Sequence, residues 1–279
     1  MLSSFDKYWP RLKEYEGTTL DLDPHDSGNW TGGKVGSGQL VGTKYGIDAA
    51  SHNEQLAKQG IRLADLTEAQ AKQIYLDDYA QSVRFNDLPA GVDTVVIDPA
   101  INNGVWRASG WLQSAVGTPV DHSIGPKTIA AVRLSPGGAV PIIQTVSHAR
   151  LSYDQGLGAL WGRYGKGWGA RIAAVEAFSV SLALAAVPGA SPATVQADLT
   201  KHAETAAKDA KSAQSSATGV GTTGTVASGG ANQGGLDKWA VIMLVAITLL
   251  GLGYFLYQRY IHRLRATAYA AEAKKVTTL

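Results

Sequence analysis

Phe5, Tyr8, Trp9, Leu12 and Tyr15 recur at intervals close to 3.6 residues and predict an amphipathic helix over 5–16. Pro10 suits a helix whose regular part starts near it. Thr67-Glu68-Ala69-Gln70 is a capping-box pattern and predicts a helix running on through Tyr79. Residues 91–117 read as two helices broken near Pro99 and Gly104. Gly125-Pro126-Lys127-Thr128 opens another, with proline at the first helical position. Segments 139–157 and 169–187 are helical by composition. Val175–Val187 is too short to span a bilayer and carries Glu176, so it is expected in the core. Only 18–50 breaks this pattern, with glycine at 28, 32, 33, 36, 38, 42 and 46, so any strands are short and lie there. The expectation is a mainly α domain with one long Gly-rich loop early in the chain.

After residue 187 the pattern changes. Pro188-Gly189-Ala190-Ser191-Pro192 punctuates the boundary, and 195–217 is rich in Ala, Lys, Gln, Asp and Glu, which favour helix but supply few large apolar side chains. Residues 218–235 form an uncharged Gly/Thr/Ser/Ala tract with the composition of a flexible linker. Trp239 to Tyr257 carries no charge over 19 residues. As a helix it would rise about 28 Å against a hydrocarbon core of about 30 Å. Trp239 at one edge and Tyr254, Tyr257 and Tyr260 near the other fit interfacial positions. A single transmembrane helix is expected there. Arg259, Arg263, Arg265, Lys274 and Lys275 follow it, against Lys238 on the other flank. That asymmetry puts the tail in the cytoplasm and residues 1–187 on the side of the cell wall, although no Sec-type signal precedes them.

Charge narrows the function. Twenty-five Lys+Arg against 23 Asp+Glu leave a net charge of +2, too small for a nucleic-acid reader. The chain has no cysteine, which removes disulfides, thiolate nucleophiles and thiolate metal sites. The histidines, at 25, 52, 122, 148, 202 and 262, show no metal-ligand spacing, so neither metal nor cofactor is expected. Asp21-x-Asp23-x-His25 starts like a calcium loop but has Asp26 at position six and Gly32 at position twelve. Gly36-x-Gly38 is followed by Val41, not by the third glycine of a dinucleotide fingerprint.

A loop as long as 18–50 inside a domain is usually functional or disordered. Glu16 stands at its entrance, at the end of the first helix. A carboxyl there, covered by the loop, suits a general acid, because partial burial favours its protonated form. A second acid and a hydroxyl further along could hold a water or stabilise positive charge on a sugar ring. The alternative is an ordinary helix end.

Three ordered motifs sharpen this choice: Lys13-Glu14-Tyr15-Glu16-Gly17, Asp23-Pro24-His25-Asp26-Ser27-Gly28 and Gly42-Thr43-Lys44-Tyr45-Gly46-Ile47. Together they resemble the N-acetylmuramidases of glycoside hydrolase family 108. The resemblance continues through Leu66–Ala71, Ile74-Tyr75, Asp78-Tyr79, Asp87–Gly91 and Asp98–Gly104. Trp111-Leu112-Gln113, Asp121, Ile124–Thr128 and Gly167-Trp168 are similar to the helical peptidoglycan-binding module that follows in that family. The resemblance implies a lysozyme-like helical domain that cuts the β-1,4 bond between N-acetylmuramic acid and N-acetylglucosamine. It implies Glu16 as general acid, with Asp26 and Thr43 as its catalytic companions. Asp98, Asn102, Asn103 and Tyr45 are then expected to bind the glycan, with a helix cap as the alternative for Asp98. Trp161, Tyr164 and Trp168 are read as packing residues, with sugar stacking as the alternative.

The expected organisation is a catalytic region at 1–95, a binding module at 96–187, a linker at 188–235, a transmembrane helix at 236–258 and a basic tail at 259–279. The expected partners are peptidoglycan glycan strands, a lipid bilayer through Trp239 to Tyr257, and holin or virion membrane proteins in a phage lysis or virion-borne setting. Nucleic acid is excluded. The departures are Thr18 and Thr19, where the family has Gly and Tyr, Ala80, where it has Trp, and an insertion over 29–41. They keep two rivals open, a wall-binding protein without turnover and a structural membrane protein.

Overall fold

The computed structural model describes residues 4–230 and 238–276. Ten α-helices are described: α1 (Ser4–Glu16), α2 (Ala49–Lys58), α3 (Glu68–Tyr75), α4 (Val92–Asn103), α5 (Val105–Ala115), α6 (Pro126–Arg133), α7 (Ala139–Gln155), α8 (Ala159–Ala185), α9 (Pro192–Gly230) and α10 (Lys238–Val276). Two short antiparallel strands, β1 (Thr43–Lys44) and β2 (Ile47–Asp48), pair Thr43 with Asp48 and Lys44 with Ile47. The mainly α expectation holds among the described residues, and the strands fall in the Gly-rich excursion.

α1 buries Phe5, Tyr8, Trp9 and Leu12, the face its spacing foretold. It runs through Pro10, which lies on the exposed face. It ends at Gly17, whose φ of +76° and N–H bond to the Lys13 carbonyl at 2.9 Å form a left-handed cap. α3 opens on the complete capping box of Thr67 and Gln70. α4 is buried continuously from Val92 to Ala100, a central helix whose buried Asp93, Thr94 and Asp98 all find partners. The break expected near Pro99 does not occur. Burial of this helix on every side outweighs the lost hydrogen bond, and the chain turns only at Gly104, where φ is +92°. The expected division at residue 95 therefore falls within α4.

α8 is long and apolar enough to cross a membrane, with a mean hydropathy of 1.3 over its most apolar window, but 67% of that window is buried among the other helices. It serves here as a core helix.

α9 and α10 form an antiparallel hairpin. Asp209 Oδ2 lies 3.9 Å from His262 Nδ1, and Val220 packs beside Gly251. One expectation needs correction. The tract expected as a linker is helical through Gly230, and residues 231–237 lie outside the described part. Ala206, Ala210, Ala213 and Ala217 are buried, a seam of small residues that lets the two helices approach closely without large side chains. The end of α10 packs on the domain. Arg265 reaches Glu176 of α8 at 2.7 Å, Tyr269 donates to the same carboxylate at 2.8 Å, and Arg11 of α1 reaches Glu272 at 2.6 Å.

Candidate active site

Glu16 is the last residue of α1, and the β1–β2 turn closes over it. Tyr45 and Gly46 both have positive φ, +54° and +74°, the two-residue turn that suits the twist of a hairpin. A side chain at Gly46 would meet the Tyr75 hydroxyl and come within 2.9 Å of Glu16 Cβ, so glycine is required for space as well as for φ. The Tyr75 hydroxyl donates to the Tyr45 carbonyl at 2.9 Å. A π-helical turn over Leu76–Ala80 follows α3, and the Tyr79 ring lies 5.8 Å from that of Tyr75. Burial, and then the nearby Glu16 carboxylate, push the Tyr75 phenol well above its usual range, so it stays a neutral donor.

Behind Glu16 lies a buried ion cluster that joins four helices. Asp98 of α4 is fully buried and accepts from Tyr8 of α1 and Arg150 of α7. Arg171 of α8 donates twice to its Oδ2, from Nε at 3.0 Å and from Nη2 at 2.8 Å. Burial alone would raise the Asp98 pKa, but Arg171 and Arg150 overcome it and hold the carboxyl well below the usual carboxylate range. The free edge of Arg171, Nη1, lies 2.9 Å from Glu16 Oε1. That contact is an ion pair without the alignment of a hydrogen bond. The guanidinium also stacks 4.4 Å over the Tyr15 ring.

A cleft of about 610 Å³ opens beside Arg171, lined among others by Tyr15, Asn102, Asn103, Asp154 and Trp168. Its size suits one or two sugar rings of a polymer. Asn103 donates to Asp154 at 2.7 Å and Asn102 to the Asp98 carbonyl at 2.8 Å, which fixes both amides on the cleft wall. The carbonyl oxygen of the Asn103 amide is buried with no protein partner. Trp168, read from sequence as a packing residue, lines the cleft while its ring stacks 5.7 Å from Tyr164.

The expected residues separate into three sets. Glu16, with its side chain 20% exposed, lies together with Tyr45, while Asn102 and Asn103 line the cleft. Asp98 has no exposed surface and lies beneath Arg171. Asp26 is exposed and caps the turn over Ser27–Asn29 by accepting from Gly28 N at 2.8 Å. Thr43 is half-buried in β1, opposite Asp48. Of the departures, Thr18 and Thr19 are exposed and Ala80 is buried, so a ring at position 80 would not face the cleft. Sequence reasoning missed Arg171, Arg150 and Tyr8. A charge in the otherwise apolar stretch after Gly169 was the available signal for Arg171. Among the described residues no group of three or more His, Asp or Glu is gathered to hold a metal ion.

Residues 10–104 match the family model described as glycosyl hydrolase 108. That span contains Glu16, Asp26, Thr43, Tyr45, Asp98, Asn102 and Asn103, but neither Arg150 nor Arg171. The solved structure of SagA from Brucella abortus is similar to this chain, with 34% sequence identity, a TM-score of 0.51, and coverage of 64% of this chain and 95% of that one. No match was found among the curated proteins.

Proposed function

Because this chain belongs to glycosyl hydrolase family 108 and is thereby a glycoside hydrolase directed at peptidoglycan, we propose that it is an N-acetylmuramidase. It cuts the β-1,4 bond between N-acetylmuramic acid and N-acetylglucosamine, in wall penetration or lysis. The observation that supports this reading is the placement of Glu16. Its carboxylate lies beneath the hairpin turn that Tyr75 fastens and is paired with Arg171 next to the cleft.

In this reading Glu16 donates its proton to the glycosidic oxygen as the bond to the anomeric carbon lengthens and positive charge builds on the ring. Arg171 sets the rotamer of Glu16 and Asp98 sets Arg171, which makes both positioning residues. Asp26 and Thr43 take the part of holding the attacking water. Asn102, Asn103 and Trp168 bind the strand, so that the region expected as a separate binding module supplies one wall of the cleft.

The test is digestion of purified Gram-negative peptidoglycan, with reduction and identification of the new reducing ends. Reducing N-acetylmuramic acid is expected, and Glu16→Gln should lower its release by about 10²–10⁴. New reducing N-acetylglucosamine ends would overturn the bond assignment. A Glu16→Gln variant within a few-fold of the parent would overturn the acid.

A further inference from the structure

We propose that α9 and α10 enter a lipid bilayer together as a helical hairpin, leaving the catalytic domain and the C-terminal tail on the same side of the membrane. This goes beyond the hydrolase reading and does not depend on it.

The charge pattern of the two arms matches once their register is known. Ser212 to Leu236 and Trp239 to Gln258 carry no charge, and only Asp237-Lys238 lies between them. The pairings of Asp209 with His262 and of Val220 with Gly251 set Lys211 and Arg259, the last charges before the tip, at about the same level. From Lys211 to Gly230 the helix rises about 28 Å, close to the thickness of a hydrocarbon core.

Beyond that level α10 presents a band of bare apolar surface. Ile242, Met243, Ile247, Leu249, Leu250 and Tyr254 are 54 to 74% exposed. A protein surrounded by water rarely leaves so continuous a patch. On the other arm, the hydroxyls of Ser215 and Thr218 donate back to the Lys211 and Gln214 carbonyls at 3.2 and 3.1 Å, so neither needs a partner outside its own helix.

The occupant is identified at the base of this band. Trp161 of α8 lies 6.4 Å from Tyr257, which lies 6.4 Å from Tyr260. Trp168 adjoins Trp161, and the exposed Tyr164 stacks on Trp168. Two helices from distant parts of the chain thus build one aromatic belt, flanked in sequence by Arg163, Lys166, Arg259 and Arg263. Aromatic rings with basic side chains beside them suit the headgroup layer of a bilayer. A second copy of the chain would need no such belt. The buried contacts of Arg265 and Tyr269 with Glu176 hold the end of α10 on the domain, so a single pass would have to break them.

The absence of cysteine makes the test clean. Full-length K34C, D237C and T277C are produced in bacterial cells, and each is treated with a membrane-impermeant maleimide in spheroplasts and after lysis. The chain is expected to stay in the membrane pellet after an alkaline wash. K34C and T277C should label in the same preparation, and D237C in the opposite one. Labelling of K34C and T277C from opposite faces would establish a single pass and overturn the hairpin. Labelling of all three from one face would show that the tip does not cross and would overturn it equally. So would recovery of the chain in the soluble fraction, whether as a monomer or as a dimer that covers α10.

Discussion

Asp98 and Glu176 are two buried carboxylates, each met by arginine and tyrosine, and they differ in how their charge is balanced. Asp98 faces two guanidiniums, Arg150 and Arg171, with Tyr8. Glu176 faces one, Arg265, with Tyr269. Arg150 is also paired with the buried Asp154 at 3.7 Å, and Arg171 turns its remaining edge outward to Glu16. The cluster at Glu176 is balanced, touches no cleft residue through Arg265, and fastens α10 to α8. An arginine with an edge left over for Glu16 separates the cluster beside the cleft from one that serves only as a fastening.

The largest expected effect follows from removing the acid beneath the site. Asp98→Ala strands Arg150 and Arg171, and breaking a buried pair in this way costs about 3–5 kcal/mol. Denaturant unfolding should show that loss, together with nearly complete loss of wall hydrolysis. A loss under about 1 kcal/mol would mean that the cluster does not join the four helices.

Arg171→Met removes the contact with Glu16 and leaves Asp98 paired with Arg150, so denaturant unfolding is read beside activity. The methionine keeps apolar packing on Tyr15 but takes the charge from Glu16. Turnover is expected to fall about 10²-fold, with sedimentation on insoluble peptidoglycan little changed. Binding and turnover lost in parallel would make Arg171 a glycan ligand instead.

Glu176→Gln should act on the other cluster alone. It leaves Arg265 without its charge partner at a local cost of about 1–3 kcal/mol. Trypsin should then cut sooner after Arg263 or Arg265, while muropeptide release stays at the parent's rate. A fall in hydrolysis would erase the distinction drawn between the two clusters.

The smallest effect is the response to acid. The folded-state pKa of Asp98 lies below its unfolded value, so its contribution to stability is complete above about pH 4–5 and is lost as the pH falls below that range. Thermal melts between pH 2 and 6 should slope downward toward acid in the parent. The slope should be shallower in Asp98→Asn, which cannot titrate at that position.

The sequence alone determined what local chemistry controls. The spacing of Phe5, Tyr8, Trp9 and Leu12 set α1 and its buried face, Gly17 ended it at Glu16, and the Thr67–Gln70 box opened α3. The ordered motifs pointed to the family and to its acid. These features are legible because caps, helical period and glycine turns act between residues a few positions apart. What serves Glu16 from behind was decided only by the tertiary structure. Asp98 meets partners 90, 52 and 73 residues away, and no spacing rule ties an aspartate in one helix to arginines in two others. The same holds for α9 and the tail. The composition of 218–235 favours a flexible chain in isolation, and five basic residues after an apolar run predict separation from the domain. A helix poor in large side chains forms when a partner helix covers its small-residue seam, and a basic tail stays with the domain when a buried glutamate 89 residues earlier is waiting for its arginine.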